Sequence, residues 1–188
     1  MELETTVVKE REQCAAIRKE KVMRSLSVTS MLLGVHGTPV APGSRMEKLG
    51  AFLGVPDRWD FGIEDEFICQ LGYADFEISL RTRGNQVEVE RVWLELWHAH
   101  NGEPQPKKSP IRLVDGIDVD LGVFQPGISL STAKALLDSL QAVYEESTQQ
   151  DASEVTSRIV LGTKSELLFF RGDGGPRLME IHFYADDD

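Results

Sequence analysis

The sequence predicts an α+β fold: two related helix-plus-antiparallel-strand units sharing a mostly antiparallel sheet, with an N-terminal helical extension. Three observations carry this. Pro42-Gly43-Ser44 opens an apolar helical run, and Pro126-Gly127 opens a second one further along the chain. Each run leads to a Leu-Gly pair, Leu71-Gly72 and Leu161-Gly162, and on to a strand-like segment ending at Arg81 or Arg171. A glycine turn, at Gly84 or Gly174, then precedes a closing strand, Val87 to Trp97 or Arg177 to Tyr184. A repeated unit of this kind describes a scaffold rather than a reaction.

Residues 1–24 are charge-dense and read as a helical extension, with Leu3, Val7, Cys14 and Ile17 near heptad spacing. The first α+β unit occupies residues 25–100. Its opening run, Leu26 to Leu33, is a short strand or one and a half helical turns, which periodicity does not decide. Ser44 followed by Glu47 predicts a capping box, with Met46, Leu49 and Leu53 as the apolar face and Gly54 as the stop. Residues 56–60 form a turn that folds Trp59 back over this helix. Phe76, Ile78 and Leu80 alternate with polar residues, and Gly84-Asn85 makes a hairpin. In the return strand the apolar parity switches after Val89, which predicts a bulge near Glu90-Arg91 or burial on both faces.

Residues 101–110 hold three prolines and form a linker loop. The second unit spans 111–188 and makes one globular domain with the first. Ile111 to Phe124 is strand-like, a helix runs from about Ser129 to Glu146, and strands follow at about 157–171 and 177–184.

The formal net charge is −11, which disfavours contact with phosphate backbones and anionic membrane surfaces and favours a basic partner. The acidic start has no apolar signal-peptide core, and no stretch approaches 18 apolar residues, so the expected location is cytoplasmic. Cys14 and Cys69 are too few for a disulfide framework; Cys69 is expected as a buried small residue.

No catalytic, cofactor or metal site emerges. His98 and His100 would share a face on a strand, but no third ligand is fixed by spacing, and a solvent-exposed strand end accounts for them. His182 is expected in a satisfied role. Asp115, Asp118 and Asp120 lack the glycine and glutamate of a calcium loop, and Asp118 and Asp120 fit the outward face of a strand. Arg171-Gly172-Asp173 sits in a hairpin turn rather than at a helix N-terminus. The residues that fit a binding surface are Asp57, Trp59, Asp60, Glu64, Asp65 and Glu66, with Trp93, Glu95 and Trp97 on the first closing strand. Aromatic anchors among carboxylates suit a basic protein surface.

Leu53-Gly54-Val55-Pro56-Asp57-Arg58-Trp59 followed by Leu71-Gly72-Tyr73-Ala74-Asp75-Phe76-Glu77 resembles a pattern in small bacterial proteins, some of them similar to immunity proteins of toxin systems. Ala74 stands where that pattern has glycine. The resemblance covers about residues 26–97 and implies a binding scaffold with no catalytic residues. The leading expectation is therefore a non-enzymatic, immunity-protein-like module that occludes a basic toxin or effector. The alternatives are a small metal-dependent hydrolase using His98 and His100, and a self-assembling structural protein or homodimer joined through residues 1–24.

Overall fold

Alternation of apolar and polar side chains in the two closing strands builds the centre of the molecule. This computed structural model describes residues 24–35, 38–60, 69–100, 103–148, 155–162, 164–171 and 174–186. Among these residues the order is β1 (Arg24–Ser27), α1 (Val28–Leu32), α2 (Met46–Leu53), β2 (Arg58–Asp60), β3 (Cys69–Tyr73), β4 (Phe76–Arg83), β5 (Gln86–Glu95), β6 (Trp97–His100), β7 (Glu103–Pro106), β8 (Ile117–Asp120), α3 (Leu130–Ser139), β9 (Tyr144–Ser147), β10 (Val155–Leu161), β11 (Ser165–Phe170) and β12 (Arg177–Tyr184). Eight strands make one antiparallel sheet in the order β2-β3-β4-β5-β12-β11-β10-β9. The fold is thus mixed, dominated by a large antiparallel sheet. The charged extension predicted over 1–24, and Cys14 within it, lie outside the described residues apart from Arg24, which opens β1.

Both halves follow the same path: a helix, then a four-strand meander whose last strand meets its counterpart at the β5–β12 seam. Gly43 N–H donates to the Val89 carbonyl (2.7 Å) and Val89 N–H to that of Ser44 (2.8 Å). Gly127 N–H donates to the Leu178 carbonyl (2.8 Å) and Leu178 N–H to that of Ile128 (2.9 Å). Each pair ties the segment ahead of a helix to the closing strand of its own half. Gly43 and Gly127 both have positive φ, 79° and 76°, a conformation that favours glycine.

A bulge follows each pair directly. Ser79 faces Arg91 and Leu80 faces Val89, so Glu90 is the extra residue in β5. Leu168 faces Glu180 and Phe169 faces Leu178, which leaves Met179 extra in β12. The apolar parity switch after Val89 is therefore a bulge, the first of the two readings the sequence allows.

The core lies between this sheet and α1, α2 and α3. Leu49 and Leu53 of α2 and Ala133 and Leu137 of α3 join Phe76, Ile78, Val92, Phe124, Phe169 and Ile181 in one buried cluster. Fully burying each large side chain is worth about 1.5–3 kcal/mol. Cys69 is buried, as expected. β1 and β8 form a separate parallel pair at the margin, with Asp118 and Asp120 exposed on β8.

Several local expectations change. Leu26 to Leu33 is both strand and helix, because Ser27 caps α1 by accepting from Ser30 N–H and ends β1 there. At α2 the N-cap is Arg45 with no side-chain cap; Ser44 Oγ instead donates to the Thr38 carbonyl (3.2 Å), which removes the capping box. The second helix stops at Ser139 rather than Glu146. Gln141 adopts φ 55°, and Tyr144 enters the edge strand β9. The 101–110 linker contains β7, which pairs with β6 through Trp97↔Pro106 and His100↔Glu103. Only Ile117–Asp120 of the 111–124 run is a strand. Residues 157–171 split into β10 and β11, so Leu161 closes β10 at a turn whereas Leu71-Gly72 lies inside β3.

Candidate binding face

Register places the candidate side chains. Strand residues alternate between faces, and pairing links β2 to β9 in continuous rows. One row on the core face runs Trp59, Leu71, Ile78, Val92, Phe183, Ser165, Leu161, Tyr144. Its neighbour on the opposite face runs Arg58, Gly72, Glu77, Trp93, His182, Glu166, Val160, Glu145.

The expected binding residues therefore fall into two groups. Asp57, Trp59 and Asp60 sit at the β2 edge and are all exposed. Trp59 does not fold back over α2 as the sequence reading had it. It stands 52% exposed on β2, an edge strand with a neighbour on one side only. Asp57 accepts from Ala74 N–H (2.9 Å) and so helps hold the β3–β4 turn, where Ala74 has φ 50°. Arg58 forms an ion pair with Glu77 at 2.6 Å. Val55, nearby in the chain, is also exposed. Glu64, Asp65 and Glu66 lie outside the described residues.

Trp93, Glu95 and Trp97 form the second group, at the β5–β12 seam. Trp93 and Trp97 are half-buried. Trp97 Nε1 donates to Glu180 Oε1 (2.8 Å), and its ring packs with Leu168, Phe170 and Met179. The Trp93 ring lies 5.1 Å from that of His182. Burial pushes the Glu95 carboxyl above its ordinary value; Lys107 and Arg58 oppose this, while Glu77 and Glu180 add to it.

The seam also holds a hydrogen-bonded chain around His182 whose other members, Glu180, Tyr184 and Glu166, the sequence reading did not single out. Glu180 and His182 are only 5% and 8% exposed. Glu180 Oε2 lies 3.1 Å from His182 Nε2, and His182 Nδ1 lies 3.0 Å from the Tyr184 hydroxyl. That hydroxyl donates to Glu166 Oε2 (3.1 Å), and Glu166 pairs with Arg158 at 3.3 Å. Burial foremost, with Glu166 beside it, pushes the Tyr184 hydroxyl up to about 12. Alternation marks Glu180, His182 and Tyr184 as polar-face residues, but nothing in it shows that this part of the face is buried. His182 holds the satisfied position expected of it.

His98 and His100 are exposed on β6, as a strand-end reading expects. Among the described residues no group of three or more His, Cys, Asp or Glu is placed to hold a metal ion. Nor is any helix among them long and apolar enough to cross a membrane. No protein-family model, curated protein or solved structure matches the chain.

Proposed function

We infer that this chain is a non-enzymatic protein-binding module, similar to immunity proteins, that docks on a basic toxin or effector and covers its active surface. The two halves are read as a diverged duplication, with the docking residues in the first. The observation that carries the reading is Trp59. At the opposite end of its row, Tyr144 is half-buried against the core, and its hydroxyl donates to Asp138 Oδ1 (3.1 Å). The Trp59 side chain has no hydrogen-bond partner among the described residues and leaves half its surface to solvent.

An exposed Trp beside Val55, Asp57 and Asp60 supplies an apolar anchor inside an acidic rim. Anchors of this type dominate binding energy, and opposite charge speeds encounter. The net charge of −11 gives the whole molecule the same bias. Trp93 and Trp97 are half-buried with their ring contacts internal, so the docking anchor in this reading is Trp59 alone.

The test is capture from the native host with the folded chain, paired with protection against a toxin encoded nearby. A basic partner held by the wild-type chain and lost by Trp59→Ala supports the reading. Absence of any such partner, together with absence of protection, overturns it.

A further inference from the structure

We propose that the β6–β7 hairpin builds a binding site for a phosphate group, separate from the β2 edge. The hairpin follows β5 directly and lies outside the eight-stranded sheet. It is held firmly. Pro106 packs on Gly127, where an added Cβ would stand 2.7 Å from the proline Cγ. Lys107 N–H donates to the Leu96 carbonyl (2.8 Å), and Lys107 Nζ binds Asp75 Oδ1 (2.6 Å) and the Glu95 carbonyl (3.1 Å).

Beside this clamp lies a cavity of about 670 Å³, lined by His98, His100, Gln105, Lys107, Lys108 and Ser109 against the walls of Pro106 and Pro126. The chain has 31 acidic and 20 basic residues, yet among the described residues no carboxylate lines this cavity. Glu103 pairs in register with His100 but is not in the lining. His98 and His100 share one face of β6, and Gln105 and Glu103 stand opposite them in β7, so register brings all four to one side, with Glu103 at the turn end of the hairpin.

Every polar side chain in the lining can donate a hydrogen bond. Lys107 is already paired with Asp75, so Lys108 meets the ligand's charge and the two imidazoles serve as hydrogen-bond partners. The three terminal oxygens of a phosphate monoester accept more hydrogen bonds than the two of a carboxylate and so suit this set of donors better. The prolines would pack against whatever carries that phosphate.

The full chain is titrated with inorganic phosphate, with acetate, and with chloride at matched ionic strength, while imidazole NMR signals are followed. Phosphate should shift the His98 and His100 signals saturably and leave that of buried His182 in place, with acetate binding more weakly. Lys108→Ala, at an exposed position, should weaken phosphate binding about tenfold, the worth of one charge-assisted hydrogen bond. Non-saturable shifts, equal shifts with chloride, acetate binding as tightly as phosphate, or unchanged affinity in Lys108→Ala would each overturn the site.

Discussion

Trp59 and Tyr144 end the same cross-strand row at opposite edges of the eight-stranded sheet, one on β2 and the other on β9. They begin from corresponding places, each in the first strand after a helix. Tyr144 is anchored to α3 through Asp138, whereas Trp59 faces solvent. The two edges thus share an architecture and differ in what they offer a partner.

That difference separates stability from binding. Trp59→Ala should change unfolding free energy by no more than about 1 kcal/mol, as for other exposed positions. Tyr144→Ala should cost about 2 kcal/mol, because it removes core packing and a hydrogen bond. Urea denaturation of both variants measures this, and a larger loss for Trp59→Ala would show that its ring supports the fold.

The two positive-φ glycines give a second internal comparison. Gly43→Ala meets open space and should cost about 1–2 kcal/mol, the strain of a left-handed alanine. Gly127→Ala carries the same strain and also drives its Cβ into Pro106. It should cost roughly 1–3 kcal/mol more, and thermal unfolding of the pair should rank them in that order.

Glu180 joins Trp97 to His182 within a buried chain of hydrogen bonds. Glu180→Ala leaves the indole N–H and an imidazole nitrogen without their partner and should cost about 3 kcal/mol. Glu180→Gln keeps the shape and one acceptor, so it should cost less. Equal losses in chemical denaturation would mean that packing, rather than this network, holds the seam.

Two groups at the seam set opposite ends of the pH profile. The Glu95 carboxyl is raised in the folded chain, so between its ordinary and raised values the folded state binds the extra proton. Its contribution is present below the ordinary carboxylate range and is lost as pH climbs through the raised value. Glu95→Gln should therefore gain stability relative to wild type at pH 7 and gain little near pH 4. Tyr184 titrates at about 12 when folded against 10 ordinarily, so its contribution is complete below pH 10 and lost between 10 and 12. Tyr184→Phe should flatten the loss of stability across that alkaline window. Denaturation midpoints measured across pH check both signs.

Much of the framework could be read from side-chain order. The β5 bulge follows from Val89 and Val92 sharing the core despite their parity, and Pro-Gly marks the entry to each half. What escaped depends on partners distant in sequence. Ser44 satisfies the local rule for a cap, yet Thr38 takes its hydroxyl. Tyr144 continues a helical stripe, yet pairing with Leu161 places it in a strand. Local patterning also could not show that Glu180 and His182 are buried, or that Trp59 and Trp93 project from opposite faces of the sheet.

The central claim is that the first half presents a protein-docking edge anchored by Trp59. Its most direct test is the affinity of a captured basic partner for wild type, Trp59→Ala and Tyr144→Ala, measured by calorimetry on folded protein. The account predicts that Trp59→Ala loses at least about 2 kcal/mol of binding, a loss of hot-spot size, while Tyr144→Ala binds as wild type does. Equal affinity for wild type and Trp59→Ala would contradict it.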